Sequence, residues 1–221
     1  MPPNLRKYAF LCLVAPMWLA VDAPLAAVAQ PPQVSMDVTS LATGRYGRLH
    51  CLLERTFLHV KILVADVRVS RATASQLERL VAGHNYSEAL ADKAAHVLYD
   101  CDDAFARLVF LRDIDIDAFL LGVRSNLDNA RRAGVLTDAQ RESLRNTIPR
   151  TFMALAGRGI REGDTLQYRV HGDAVRTQLF GRNGVKVLDR TDYGAAARLG
   201  QMGGYFAPGT DLREDLLHSL F

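Results

Sequence analysis

The chain has 221 residues, of which 49% are hydrophobic, 23% charged and 8% aromatic, with 27 Lys plus Arg against 24 Asp plus Glu for a formal charge of +3. This is globular composition, and it excludes a disordered tail, a collagen-like fibre and a disulfide-dense mini-protein. So even a charge balance offers no concentrated basic surface for nucleic acid, and three cysteines are too few for a cysteine-only zinc site.

Arg6 and Lys7 precede an apolar run from Tyr8 to Ala20, and Ala27-Val28-Ala29 follows. A basic start, an apolar centre and a small-residue triplet, in that order, predict a cleavable signal peptide over 1–29, cut after Ala29. The apolar run is shorter than the roughly 20 residues of a membrane span, and Asp22 and Pro24 interrupt it. The expectation is export to a periplasm or the outside, with no transmembrane segment once the signal is removed. Removal of Arg6, Lys7 and Asp22 leaves a charge of +2. The remainder divides into a leader and first strand over 30–47 and one domain over 48–221.

In chain order, Gln30 to Gln33 is a Pro-rich leader and Ser35 to Ala42 is predicted as a first strand. The stretch Arg48 to Val69 is rich in Leu, Val, Ile and Phe, and its β-branched Ile62, Val64 and Val67 suit pleated packing. Thr73-Ala-Ser-Gln76 has capping-box spacing ahead of Leu77, Leu80 and Val81, which predicts a helix closed by Gly83-His84-Asn85. A second, Ala-rich helix runs from Ser87 to Val97. Phe105 to Ile114 reads as a strand, then a helix capped by Asp115 or Asp117 carries Phe119, Val123 and Leu127 on one face. Thr137-Asp-Ala-Gln140 caps another helix with Leu144, Ile148, Phe152 and Leu155 in a stripe and Pro149 set to kink it. Three short strands follow, Thr165 to Val170, Ala174 to Phe180 and Val185 to Leu188, joined at His171-Gly-Asp173 and Arg182-Asn-Gly184. Asn-Gly between apolar runs signals a hairpin, hence antiparallel pairing. A small helix near Thr191-Asp192, a loop from Gly203 to Gly209 and a last helix capped at Asp211-Leu-Arg-Glu214 complete the chain. The order predicts an α+β fold, an antiparallel sheet with helices on one face.

No GxSxG, GxxxxGK[ST] or HExxH motif is present. The six histidines lack metal-ligand spacing, so a site from His50 and His59 needs a tertiary coincidence, and neither metal nor cofactor is expected. Asp115, Asp117 and Asp128 are better explained as helix caps and surface acids than as a catalytic pair. Arg55, Lys61 and Arg112 interrupt apolar strands, where a cation beside an apolar cleft suits an anionic head; the alternative is outward alternation or salt bridging. Tyr168, Tyr193, Tyr205 and Phe206 are candidate pocket aromatics, or simply core. Cys51 and Cys101 remain after cleavage, and two readings stay open: a disulfide, as an oxidising compartment allows, or two buried free thiols.

Four stretches together carry a family resemblance: VKILVADVRV from Val60 to Val69, LVFLRDIDIDAFLLGVRSNL from Leu108 to Leu127, REGDTLQYRV from Arg161 to Val170, and Asn183 to Tyr193 followed by Tyr205 to Leu220. In order and spacing they resemble the chalcone isomerase-like family, in its bacterial exported branch, over nearly all of the mature domain. The resemblance implies an open-faced sandwich with a cleft between sheet and helices. Plant members close a chalcone to a flavanone there, and other members bind fatty acids through an Arg and a Tyr. This chain departs from the catalytic pattern: the catalytic Thr falls at Leu63, and the place of the catalytic Arg is taken by Cys51.

The favoured expectation is therefore an exported, non-catalytic binder of a small apolar or anionic ligand, fatty-acid or polyketide-like, through Arg55, Lys61, Arg112 or Tyr168. An isomerase or intramolecular lyase acting on a chalcone-like enone is the first alternative. An envelope interaction protein, its cleft filled by its own side chains and its partner unknown, is the second.

Overall fold

Period-two burial sets the sheet. Leu49, Cys51 and Leu53 are buried with polar or exposed residues between them, and Ala104, Ala106, Leu108 and Phe110 repeat the pattern. A computed structural model describes residues 34–55 and 60–221, the side chains of Arg55 and Val60 excepted. The signal peptide, its cut after Ala29 and the leader from Gln30 to Gln33 lie outside the described residues, as does His59. Six strands form one sheet: β1 (Arg48–Arg55), β2 (Val60–Val69), β3 (Asp103–Phe110), β4 (Thr165–His171), β5 (Ala174–Phe180) and β6 (Lys186–Tyr193). They lie side by side in chain order, every neighbour antiparallel. The β4–β5 turn places Gly172 at φ +55°, and the β5–β6 turn places Gly184 at φ +77°, backbone that a side chain would strain.

The helices interrupt this meander in pairs. α1 (Arg71–Val81) and α2 (Glu88–Tyr99) separate β2 from β3; α3 (Ile116–Arg132) and α4 (Asp138–Thr151) separate β3 from β4; α5 (Ala195–Phe206) and α6 (Arg213–His218) follow β6. α5 packs on β5 and β6, and α6 on β1, so the buried face of the sheet is covered. Asp115 caps α3 and a complete Thr137–Gln140 capping box starts α4. None of the described helices is long and apolar enough to cross a membrane.

Several boundaries differ from expectation for physical reasons. The cap of α1 is Ser70, whose hydroxyl takes the Thr73 N–H, three residues earlier than the pattern at Thr73 suggested. β3 stops at Phe110, and β6 runs on to Tyr193, where a helix was expected. Gly203 and Gly204 belong to α5 and not to a loop: a Cβ on Gly203 would sit 2.8 Å from the Ala130 Cβ of α3, and one on Gly200 2.5 Å from Leu144 Cδ1 of α4. Glycine is required there by close helix crossings, which outweigh its poor helix propensity.

The expected first strand, Ser35 to Ala42, forms a single bridge, Leu41 with Ser70. The segment instead crosses the outer face of the sheet. Arg169 of β4 donates to the Asp37 carbonyl and Arg176 of β5 to the Val34 carbonyl. Of the two readings left open for Cys51 and Cys101, the structure has the free thiols, and the disulfide is absent. Both sulfurs are buried, and Cys101 Sγ accepts from Thr73 Oγ1 and donates to the Asp103 carbonyl.

Candidate functional site

Three helices present cavity-facing residues at helical spacing: Phe119, Gly122 and Asn126 on α3, Leu144, Ile148 and Thr151 on α4, Ala197, Gln201 and Tyr205 on α5. Opposite them stand Leu63, Leu108, Tyr168 and Thr177 from the inner face of the sheet. Between the two layers lies a cavity of about 490 Å³, within the range of roughly 300–1,000 Å³ typical of small-molecule pockets. Small residues make the room. A Cβ on Gly122 or Gly204 would meet nothing within 4 Å.

The four candidate ligand residues separate. Arg112, just past the end of β3, lines the cavity and is solvent-exposed, so it stands at the mouth. It is the one basic residue among the described residues lining the cavity. Tyr168 is buried and lines the interior. Lys61 is exposed and lies off the cavity. Alternation from Leu63 would point it inward, but a bulge pairs Leu53 with Leu63 and Glu54 with Lys61, leaving Ile62 as the extra residue. The bulge puts Ile62, and not Lys61, on the cavity wall. For Arg55 only the backbone, at the end of β1, is described. His50 is exposed, and no group of three or more His, Cys, Asp or Glu among the described residues is placed to hold a metal.

Four aspartates also line the cavity, and local structure engages each. Asp113 accepts from the Glu162 N–H, Asp115 caps α3, Asp192 pairs with Arg190 at 3.0 Å, and Asp211 is likewise partnered. Arg112, by contrast, has no ion pair among the described residues. An exposed guanidinium without a carboxylate partner, beside an apolar cavity, is chemically suited to an incoming anion.

Farther in, Tyr168 faces Thr177 across β4 and β5, and its ring meets that of Tyr205 edge-on at 6.4 Å. Tyr205 Oη is buried and has no hydrogen-bond partner. Burial pushes both phenols well above their ordinary pKa, so both remain protonated donors. Gln201, one turn earlier on α5, is near enough to oppose that shift at Tyr205 without reaching hydrogen-bond geometry. Tyr193 and Phe206 are not cavity residues. Thr177 and Gln201 escaped the sequence reading. The hairpin at Gly172 would have placed Thr177 opposite Tyr168, whereas Gln201 depended on α5 extending through its glycines.

Leu63 stands on the wall where the chalcone isomerase pattern carries a threonine, so no hydroxyl is offered at that point. The expectation of a cleft filled by its own side chains is not met, because the cavity is open to its mouth at Arg112.

No family model matches the chain, and no curated protein is similar to it in sequence. Among solved structures it is similar to the crystal structure of the Arabidopsis thaliana fatty-acid binding protein AtFAP1, with a TM-score of 0.54 and 10% sequence identity over 79% of this chain and 88% of that one. At that identity the likeness establishes the fold: an α+β open-faced sandwich of chalcone isomerase-like type.

Proposed function

We propose that this protein is an exported, non-catalytic carrier or sensor of a small amphipathic acid, held tail-inward between sheet and helices. The carrying observation is the pairing of an apolar cavity with one uncommitted cation at its mouth, Arg112. Burying each methylene of an aliphatic tail contributes about 0.8 kcal/mol, and the guanidinium adds a charge-assisted bond to a carboxylate. The fatty-acid binding activity named for AtFAP1 supports the same ligand class. Leu63 stands on the wall where the catalytic pattern calls for a threonine hydroxyl, which weighs against an isomerase that works as the plant enzymes do. Export rests on the residues of the signal pattern, Arg6, Lys7 and Ala27-Val28-Ala29.

The test is displacement of a fluorescent acyl probe from delipidated protein lacking residues 1–29. Hexadecanoic acid should bind about tenfold more tightly than hexadecan-1-ol, in keeping with a hydrogen bond to a charged group. Arg112→Gln should remove that margin and leave the alcohol unaffected. Equal affinity of acid and alcohol for the unaltered protein would overturn the assignment of the head. Export is tested separately by the N-terminal sequence of the protein recovered from culture, which should begin at Gln30.

A further inference from the structure

Two groups of polar side chains on the cavity wall lie apart along the strands, with Leu108, Phe110 and Phe119 between them. Arg112 marks the mouth. The second group is placed by strand register: Tyr168 pairs with Ala106 of β3, four residues before Phe110. At roughly 3.3 Å per residue that is about 13 Å along the strand, and Arg112 lies beyond Phe110. Leu108, Phe110 and Phe119 line the cavity along this stretch. The Arg112 side chain and the Tyr168 hydroxyl therefore serve different ends of the cavity, not one head group.

The inner end carries one buried hydroxyl that makes no hydrogen bond, and further hydroxyls on the same wall. Tyr205 Oη is buried and makes no hydrogen bond, although Gln201 lies close to it on the same helix, and the Tyr168 ring stands edge-on to that of Tyr205 at 6.4 Å on the cavity wall. Thr177, directly across from Tyr168, adds a third hydroxyl to the same wall. A buried polar group left unpaired costs about 1–3 kcal/mol, and an apolar ligand tail would leave the Tyr205 hydroxyl unpaired. A purely structural role would be met as well by phenylalanine at both tyrosine positions.

We propose that Tyr168, Thr177 and Tyr205 form a second subsite that accepts an uncharged oxygen, hydroxyl or carbonyl, near the distal end of the ligand. The ligand class is then an acyl chain with polarity at both ends: an acid at Arg112 and a neutral acceptor among the tyrosines. The distal group is uncharged because no basic residue among the described cavity residues stands there, and an unpaired carboxylate buried in that position would be strongly disfavoured. The inference rests on the acid-binding reading above and deepens it by naming what the far end selects.

The experiment measures displacement by straight-chain acids from decanoic to octadecanoic, each against its ω-hydroxy counterpart of equal length. At the length that spans the cavity, the ω-hydroxy acid should bind about three- to tenfold more tightly, as one neutral hydrogen bond gives. Tyr168→Phe combined with Tyr205→Phe should abolish that preference, bringing the affinity ratio of the two series to about one at every length. The substitutions remove only hydroxyls from buried rings, and a thermal midpoint no lower than that of the unaltered protein verifies the fold. If the unsubstituted acids bind in an Arg112-dependent way and win at every length, the distal subsite is overturned and the acid-binding reading stands. If neither series binds, both fall together.

Discussion

Arg169 reaches through the outer layer of the sheet to the main-chain carbonyl of Asp37, 3.0 Å from its Nε. The same guanidinium bonds the carbonyls of Ala104 and Val170 and forms an ion pair with Asp103. Arg169 is only 3% exposed, so the segment from Val34 to Leu41 acts as its cover. Removing one partner of a buried, bonded ion pair costs about 3–5 kcal/mol, because the other charge is left behind. Arg169→Met should therefore lower the thermal midpoint by about 10 °C, at roughly 2–4 °C per kcal/mol for a chain of this size. Trimming through Leu41 should destabilise in the same direction, and the two changes combined should cost less than their sum, since they share contacts. Strict additivity would show that the segment and Arg169 act independently.

Acid sensitivity follows from three carboxylates tied to arginines. For Asp189 the Arg176 hydrogen bond leads in lowering the pKa, with Lys186 and Gln178 adding to it against the opposing effect of burial. For Asp103 and Asp164 burial raises the pKa, but the bonds from Arg169 and Arg158 outweigh it and hold both carboxyls below their ordinary value. A depressed folded pKa contributes stability that is complete above the unfolded value, about 3.9 for Asp, and is withdrawn as pH falls through the folded value. The urea midpoint should hold between about pH 7 and pH 5 and fall steeply below about pH 4. Asp189→Asn should lower the midpoint at neutral pH and flatten the acid slope. An acid limb equally steep in that variant would locate the titration elsewhere.

Most of the sheet was legible because its signals are local. β-Branched Ile62, Val64 and Val67 marked the strand content of 48–69, Gly172 and Asn183-Gly184 fixed two hairpins, and Ser87, Asp115 and Thr137 announced three helix starts. What failed was tertiary. Glycines 203 and 204 read as a loop because their purpose, approach to Ala130 and room for the cavity, exists only once α3 and α5 have met. Lys61 and Arg112 looked equivalent in sequence, since the bulge at Leu53 and Glu54 that takes Lys61 off the cavity wall has no local signature. Tyr168 was recoverable from strand alternation, whereas its pairing with Tyr205 required knowing that α5 lies over β5.

Burial should also govern the thiols. Cys51 lies within the sheet core, and burial, with Asp215 adding to it, pushes its thiol up to about 12. At such a value almost no thiolate exists near neutrality, and the thiolate is the reactive form. Native protein should resist iodoacetamide at pH 8 and take up the label at both Cys51 and Cys101 in denaturant without prior reduction. Labelling that required a reductant would mean the two sulfurs are joined.

Gly122 separates the needs of folding from those of binding. It sits in the middle of α3 on the cavity wall, and a Cβ there would meet open space. Glycine in a helix interior costs about 0.5–1 kcal/mol relative to alanine. Gly122→Ala should therefore stabilise the protein by about that amount while shortening the tolerated acyl tail only slightly. Gly122→Leu carries the same helical benefit but fills the cavity, so the affinity for hexadecanoic acid should drop at least tenfold while the thermal midpoint holds or rises. Calorimetric melting and probe displacement on the same two variants make the comparison. If Gly122→Leu kept its affinity for the long acid, the ligand would not occupy the space between α3 and the sheet.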